Sequence, residues 1–109
     1  MELVVLHIDD CPSWAEAGRR VTAALRVLGR ADVPVDVRLI ATPADAAATG
    51  FAGSPTILAD GVDLFPGEPT THLVCRVYRT PTGFAGSPTV DMIAETLRER
   101  LAASTGVGT

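Results

Sequence analysis

The chain has 109 residues, of which 47% are hydrophobic and 20% charged, and carries a formal net charge of −4. That length holds one domain with its own core and excludes two. The acidic balance argues against sequence-independent nucleic-acid binding, and no apolar run reaches the roughly 18 residues of a membrane span. The run Leu3–Ile8 (LVVLHI) is almost continuously apolar and of strand length, the pattern of a central strand covered on both faces. Asp9-Asp10-Cys11-Pro12 interrupts it, and an amphipathic helix is expected from there to about Leu28, with Trp14, Ala17, Val21, Leu25 and Leu28 on its apolar stripe and Gly29 as its C-terminal stop. Glu16 and Arg20 form an i,i+4 pair on the opposite face.

Val33–Ile40 alternates, with Val33, Val35, Val37 and Leu39 on one side and Asp36 and Arg38 on the other, which reads as a half-exposed edge strand. Thr42-Pro43 is an N-cap followed by proline at the first helical position, and a short Ala-rich helix runs from there to Gly50. Thr56–Ala59 is a short apolar strand, Asp60-Gly61 a turn, and Gly61–Thr71 a loop rich in glycine and proline. Leu73–Arg79 alternates as a strand with Cys75 at a buried position, and Ser87-Pro88 starts a last helix with a Val90, Ile93, Leu97, Leu101 stripe. Residues 1–103 form the expected domain and 104–109 a flexible tail. The order β-α-β-α-β-β-α predicts an α/β fold: a four-stranded mixed sheet with three helices, its first two strands parallel and its last two antiparallel. One heptapeptide, Gly-Phe-Ala-Gly-Ser-Pro-Thr, occurs at 50–56 and again at 83–89, which is punctuation used twice rather than a repeat array.

The chemistry points to Cys11. It stands where a buried strand meets a helix start, and such strand ends are where open α/β sheets bind ligands. The helix N-terminus favours an anion there, while Asp9 and Asp10 oppose one. Cys75 is the other thiol and reads as packed in the core, as does His7; His72 reads as solvated, and Arg76, Tyr78 and Arg79 alternate where Arg76 could tune the site. No His/Cys spacing matches a metal site and no cofactor motif is present. The N-terminus lacks a basic leader, so the expected compartment is the cytoplasm, with both thiols free.

Cys11-Pro12 at the first helix, Ser54-Pro55-Thr56 before the third strand and the order of elements together resemble the thioredoxin-like superfamily in its minimal, glutaredoxin-like form. The resemblance covers nearly the whole chain. It implies a cis Ser54–Pro55 bond beside Cys11, a neighbouring backbone free to pair with substrate, and Pro12, Ser13, Trp14, Ser54, Pro55 and Thr56 as substrate-contacting residues. The superfamily's Cys-x-x-Cys becomes Cys-Pro-Ser-Trp here, so a disulfide inside the motif is impossible. The expected function is therefore monothiol redox or thiol binding at Cys11, on protein disulfides or low-molecular-weight thiols, by a monomer or homodimer. The alternative is a non-catalytic binding or dimerisation module on the same fold. The stretch Leu73-Val74-Cys75-Arg76-Val77-Tyr78 is also similar, more loosely, to organomercurial (alkylmercury) lyase, which implies Cys11 and Cys75 as a mercury-binding pair. That family's acid follows its first cysteine, whereas Asp9 and Asp10 precede Cys11.

Overall fold

The structure is a computed structural model and describes residues 1–106; the last part of the expected tail, 107–109, lies outside the described residues. Strand β1 (Leu3–His7) is central. It pairs in parallel with β2 (Val35–Leu39), through the crossover helix α1 (Ser13–Val27), and antiparallel with β3 (Thr56–Ala59). The fourth position of the sheet, order β2-β1-β3-β4, is taken by the two-residue strand β4 (Val62–Asp63). The four-stranded mixed sheet and the three helices are as expected, the other two being α2 (Pro43–Thr49) and α3 (Val90–Gly106).

The sheet has a core on each face, and strand alternation assigns the residues. Leu3 and Val5 of β1 and Ile57 of β3 pack against Val21 and Leu25 of α1 and Ile93 and Leu97 of α3. The intervening Leu6 and Leu58 face the other way, with Ile8, Ile40, Phe51, Ala46 of α2 and Cys11. Helix α2 starts and stops where its cap residues require. Thr42 accepts the Asp45 N–H at 3.1 Å, Pro43 follows, and Gly50 closes the helix in the left-handed region at φ 74°.

Four expectations need correction. Leu73–Arg79 is not a sheet strand: only Tyr78–Thr80 is extended in a ladder (β5), and it pairs with Gly83–Ala85 (β6) in a separate two-stranded sheet. The segment before it meets the sheet region at one bridge, Ser54 to Cys75, because the chain turns through Gly53, Ser54 and Pro55 there and offers only one residue to pair. The missing strand lies instead in the expected loop. Asp60 (φ 51°) and Gly61 (φ 82°) form a tight two-residue connection, and such Asp-Gly turns join hairpin strands. Helix α3 is capped by Thr89, which accepts the Met92 N–H at 3.1 Å, not by Ser87, and it continues to Gly106, past the expected start of the tail. Finally, β2 is exposed on both faces, since Val37 and Leu39 are 49% and 43% exposed.

Candidate functional site

Ser54 is the centre of the site. It is fully buried, and the Ser54–Pro55 bond that follows it is cis. Its hydroxyl accepts the Ile8 N–H at 3.1 Å, which ties the turn to the end of β1. Its own N–H donates to the Val74 carbonyl at 2.8 Å, and its carbonyl accepts the Arg76 N–H at 2.7 Å. The same carbonyl accepts the Cys11 thiol at 3.4 Å. Thr56 braces the turn from within, with the Ala52 N–H donating to its hydroxyl at 3.0 Å. The Cys11 turn and the Pro55 turn therefore meet at one end of the sheet, forty-three residues apart in sequence.

The segment 72–77 lies across this turn as a strap. Arg76 anchors it: the guanidinium pairs with Asp63 at 2.8 Å, donates to the Phe65 carbonyl and lies 4.6 Å from the Tyr78 ring centre. Gly53 allows the close approach. It sits at φ +104°, and a Cβ there would meet the Arg76 Cβ at 2.8 Å. The Tyr78 hydroxyl donates to the Pro55 carbonyl, so the start of β5, just past the strap, also touches the turn. Burial pushes the Tyr78 phenol well above its ordinary range, with Arg76 pulling it back in part.

The strap reverses the two thiols relative to expectation. Cys11 is 2% exposed, whereas Cys75, expected in the core, is exposed. The Leu73–Arg79 alternation does not mark a buried face, because the strap lies over the open end of the sheet and not inside it. The two thiols interact, and the Cys75 thiol is raised above its ordinary range. The hydrogen bond to Cys11 is the largest cause, followed by partial desolvation and the charges of Cys11 and Asp10.

The backbone beside Pro55 is likewise not free. Val74 and Arg76 occupy it through Ser54, the Pro55 carbonyl accepts the Tyr78 hydroxyl, and Ser54, Pro55 and Thr56 are all buried. Arg76 acts on Tyr78 and Asp63 and does not contribute to the Cys75 shift. Of the carboxylates, Asp10 reaches Cys75 electrostatically; Asp9 is exposed beside it. Pro12 is exposed at the start of α1 and Ser13 half-buried behind it. Trp14, expected at the head of the core stripe, is only half-buried and stacks on His7, ring centres 4.2 Å apart and planes 19° from parallel. His7 is buried, as expected, and His72 is exposed.

The residue pattern does not place the two thiols together; only the looser lyase resemblance pairs them. The signal that pointed to their meeting was the Asp60-Gly61 hairpin turn. It would have filled the fourth sheet position early and released Leu73–Val77 from the sheet. Among the described residues, no helix is long and apolar enough to cross a membrane. The chain matches no protein-family model, no curated protein and no solved structure.

Proposed function

We propose that this chain is a thioredoxin-like thiol–disulfide redox protein whose working unit is the pair Cys11 and Cys75, acting on low-molecular-weight or protein disulfides. The observation that supports it is the strap: the residues on either side of Cys75 bond to Ser54, Val74 accepting its N–H and Arg76 donating to its carbonyl, the same carbonyl that accepts the Cys11 thiol. In the superfamily the chain resembles, the backbone beside the matching proline receives an extended substrate. Here the chain's own Val74–Arg76 takes that place and brings a thiol with it.

Access sets the order of events. The exposed Cys75, as thiolate, attacks one sulfur of R–S–S–R′; that S–S bond breaks, R′–S⁻ leaves and takes a proton, and Cys75–S–S–R forms. Cys11 then loses its proton and attacks the Cys75 sulfur, R–S⁻ leaves, and a Cys11–Cys75 disulfide remains. Two electrons pass from the protein to the substrate, and an external dithiol returns them by the reverse steps.

Treatment with oxidised glutathione, followed by intact-mass measurement and peptide mapping, tests this. The expected product is one intramolecular Cys11–Cys75 disulfide, with turnover of a small disulfide abolished by either Cys11→Ser or Cys75→Ser. Turnover that survives Cys75→Ser but not Cys11→Ser assigns monothiol chemistry to Cys11. Turnover by neither the wild type nor the variants leaves the non-catalytic module.

The same pair, with the Asp10 charge felt at Cys75, also favours a second reading: cleavage of a carbon–mercury bond by two thiolates and a carboxylic acid. Release of benzene from phenylmercury by the purified protein, lost in Cys75→Ala, is its requirement.

A further inference from the structure

The sheet ends on one side in β2, whose outer edge no other strand covers. Successive peptide groups of a strand point to opposite edges. Ile40 donates its N–H inward to the His7 carbonyl at 2.7 Å, so Asp36 and Arg38 also turn their peptide groups toward β1. Val35, Val37 and Leu39 therefore present their N–H and C=O groups outward. Natural edge strands are usually blunted by lysine, proline or a bulge. The stretch Val35–Leu39 holds none of these, and Val37 and Leu39 are half-exposed.

The side chains make this edge complementary to itself. In an antiparallel pairing with a two-fold axis at Val37, Val37 faces its own copy as a hydrogen-bonded pair, as its outward peptide groups require. Val35 then faces Leu39 at both ends, which gives three apolar pairs on the α1 side of the sheet. That side is already apolar, since Val35 and Val37 line a groove of about 520 Å³ against Trp14, Gly18 and Thr22 of α1. On the other side, Asp36 of each copy faces Arg38 of the other in non-hydrogen-bonded positions, where side chains come closest. Among the described residues, neither Asp36 nor Arg38 has an ion-pair partner within its own chain. Of the antiparallel two-fold registers, only the one centred on Val37 satisfies both charges at both ends.

We infer that a second copy of this chain docks on β2, edge to edge and antiparallel about Val37, joining two four-stranded sheets into one of eight. Analytical ultracentrifugation of the full chain under reducing conditions tests it, from 1 to several hundred micromolar as an order-of-magnitude range. The expected species has twice the 11.3 kDa chain mass. Asp36→Arg, which sets like charges opposite each other, weakens the dimer at least tenfold. The double variant Asp36→Arg/Arg38→Asp restores it to within about threefold, and Val37→Pro, which removes an outward N–H, abolishes it. A chain that stays monomeric throughout overturns the inference. So does a dimer indifferent to these substitutions, or one that the double swap fails to restore. Circular dichroism of each variant separates loss of pairing from loss of fold.

Discussion

Ser54 uses its N–H, its carbonyl and its hydroxyl inside the fold: the hydroxyl holds the end of β1, the N–H and the carbonyl hold the strap, and the carbonyl also accepts the Cys11 thiol. A buried serine with this many partners is a structural joint, and the joint decides how the two sulfurs behave. Because Cys11 raises Cys75 through a hydrogen bond and through its charge, removing Cys11 lowers the Cys75 pKa and enlarges the thiolate fraction below it. In wild type, the iodoacetamide reaction of Cys75 therefore rises at higher pH than that of an ordinary free thiol. In Cys11→Ala it moves to lower pH, and alkylation near neutrality becomes several-fold faster, since each pKa unit is about tenfold in thiolate. Asp10→Asn moves it the same way by less, as the smallest of the causes. A pH–rate profile of Cys75 that Cys11→Ala leaves in place would show that the sulfurs do not interact.

The strap is the element that converts a one-thiol motif into a two-thiol site. Its hold on the domain is concentrated in Arg76, whose ion pair with Asp63 leaves the two side chains 11% and 15% exposed. Breaking such a pair from one side leaves the other charge buried, so Arg76→Ala is expected to destabilise the fold by about 3 kcal/mol in urea titration. Loosening the strap also uncovers Cys11 and separates it from Cys75, so in the variant both Cys11 and Cys75 are alkylated faster than in wild type. Loss of stability without any gain in Cys11 reactivity would mean that the strap does not shield it. This element was hidden in the sequence for a physical reason. Leu73, Cys75 and Val77 alternate with Val74, Arg76 and Tyr78 as the two faces of a strand would, but Leu73, Val74, Cys75 and Val77 are all solvent-facing. Periodicity reports the backbone's extended state and says nothing of which surface it lies on. The extended backbone was legible; its placement depended on β4, a strand of two residues that carries almost no pattern of its own.

At the scale of the whole molecule, the legible parts were those fixed by strong local signals reinforced by burial. These were the apolar run of β1, the Thr42-Pro43 start and Gly50 stop of α2, the stripes of α1 and α3, and the meeting of the Cys11 and Pro55 turns. What local signals could not fix is shown by the duplicated heptapeptide. At 50–56 it closes α2 and turns through a cis Ser54–Pro55 bond into β3, and at 83–89 it supplies β6 and leads into α3. The same seven residues meet different surroundings, and the surroundings choose the structure. Phe51 is 0% exposed in the α2-side core, whereas Phe84 is 71% exposed with Arg79 over its ring at 5.6 Å. One substitution made twice measures that difference. Phe51→Ala empties a core position and is expected to cost about 3–5 kcal/mol in chemical denaturation, a large fraction of a small domain's stability. Phe84→Ala removes a solvated ring and is expected to stay within about 0.5 kcal/mol of wild type. Equal losses at the two positions would mean that Phe84 is covered in solution, and would move the boundary between core and surface drawn for this fold.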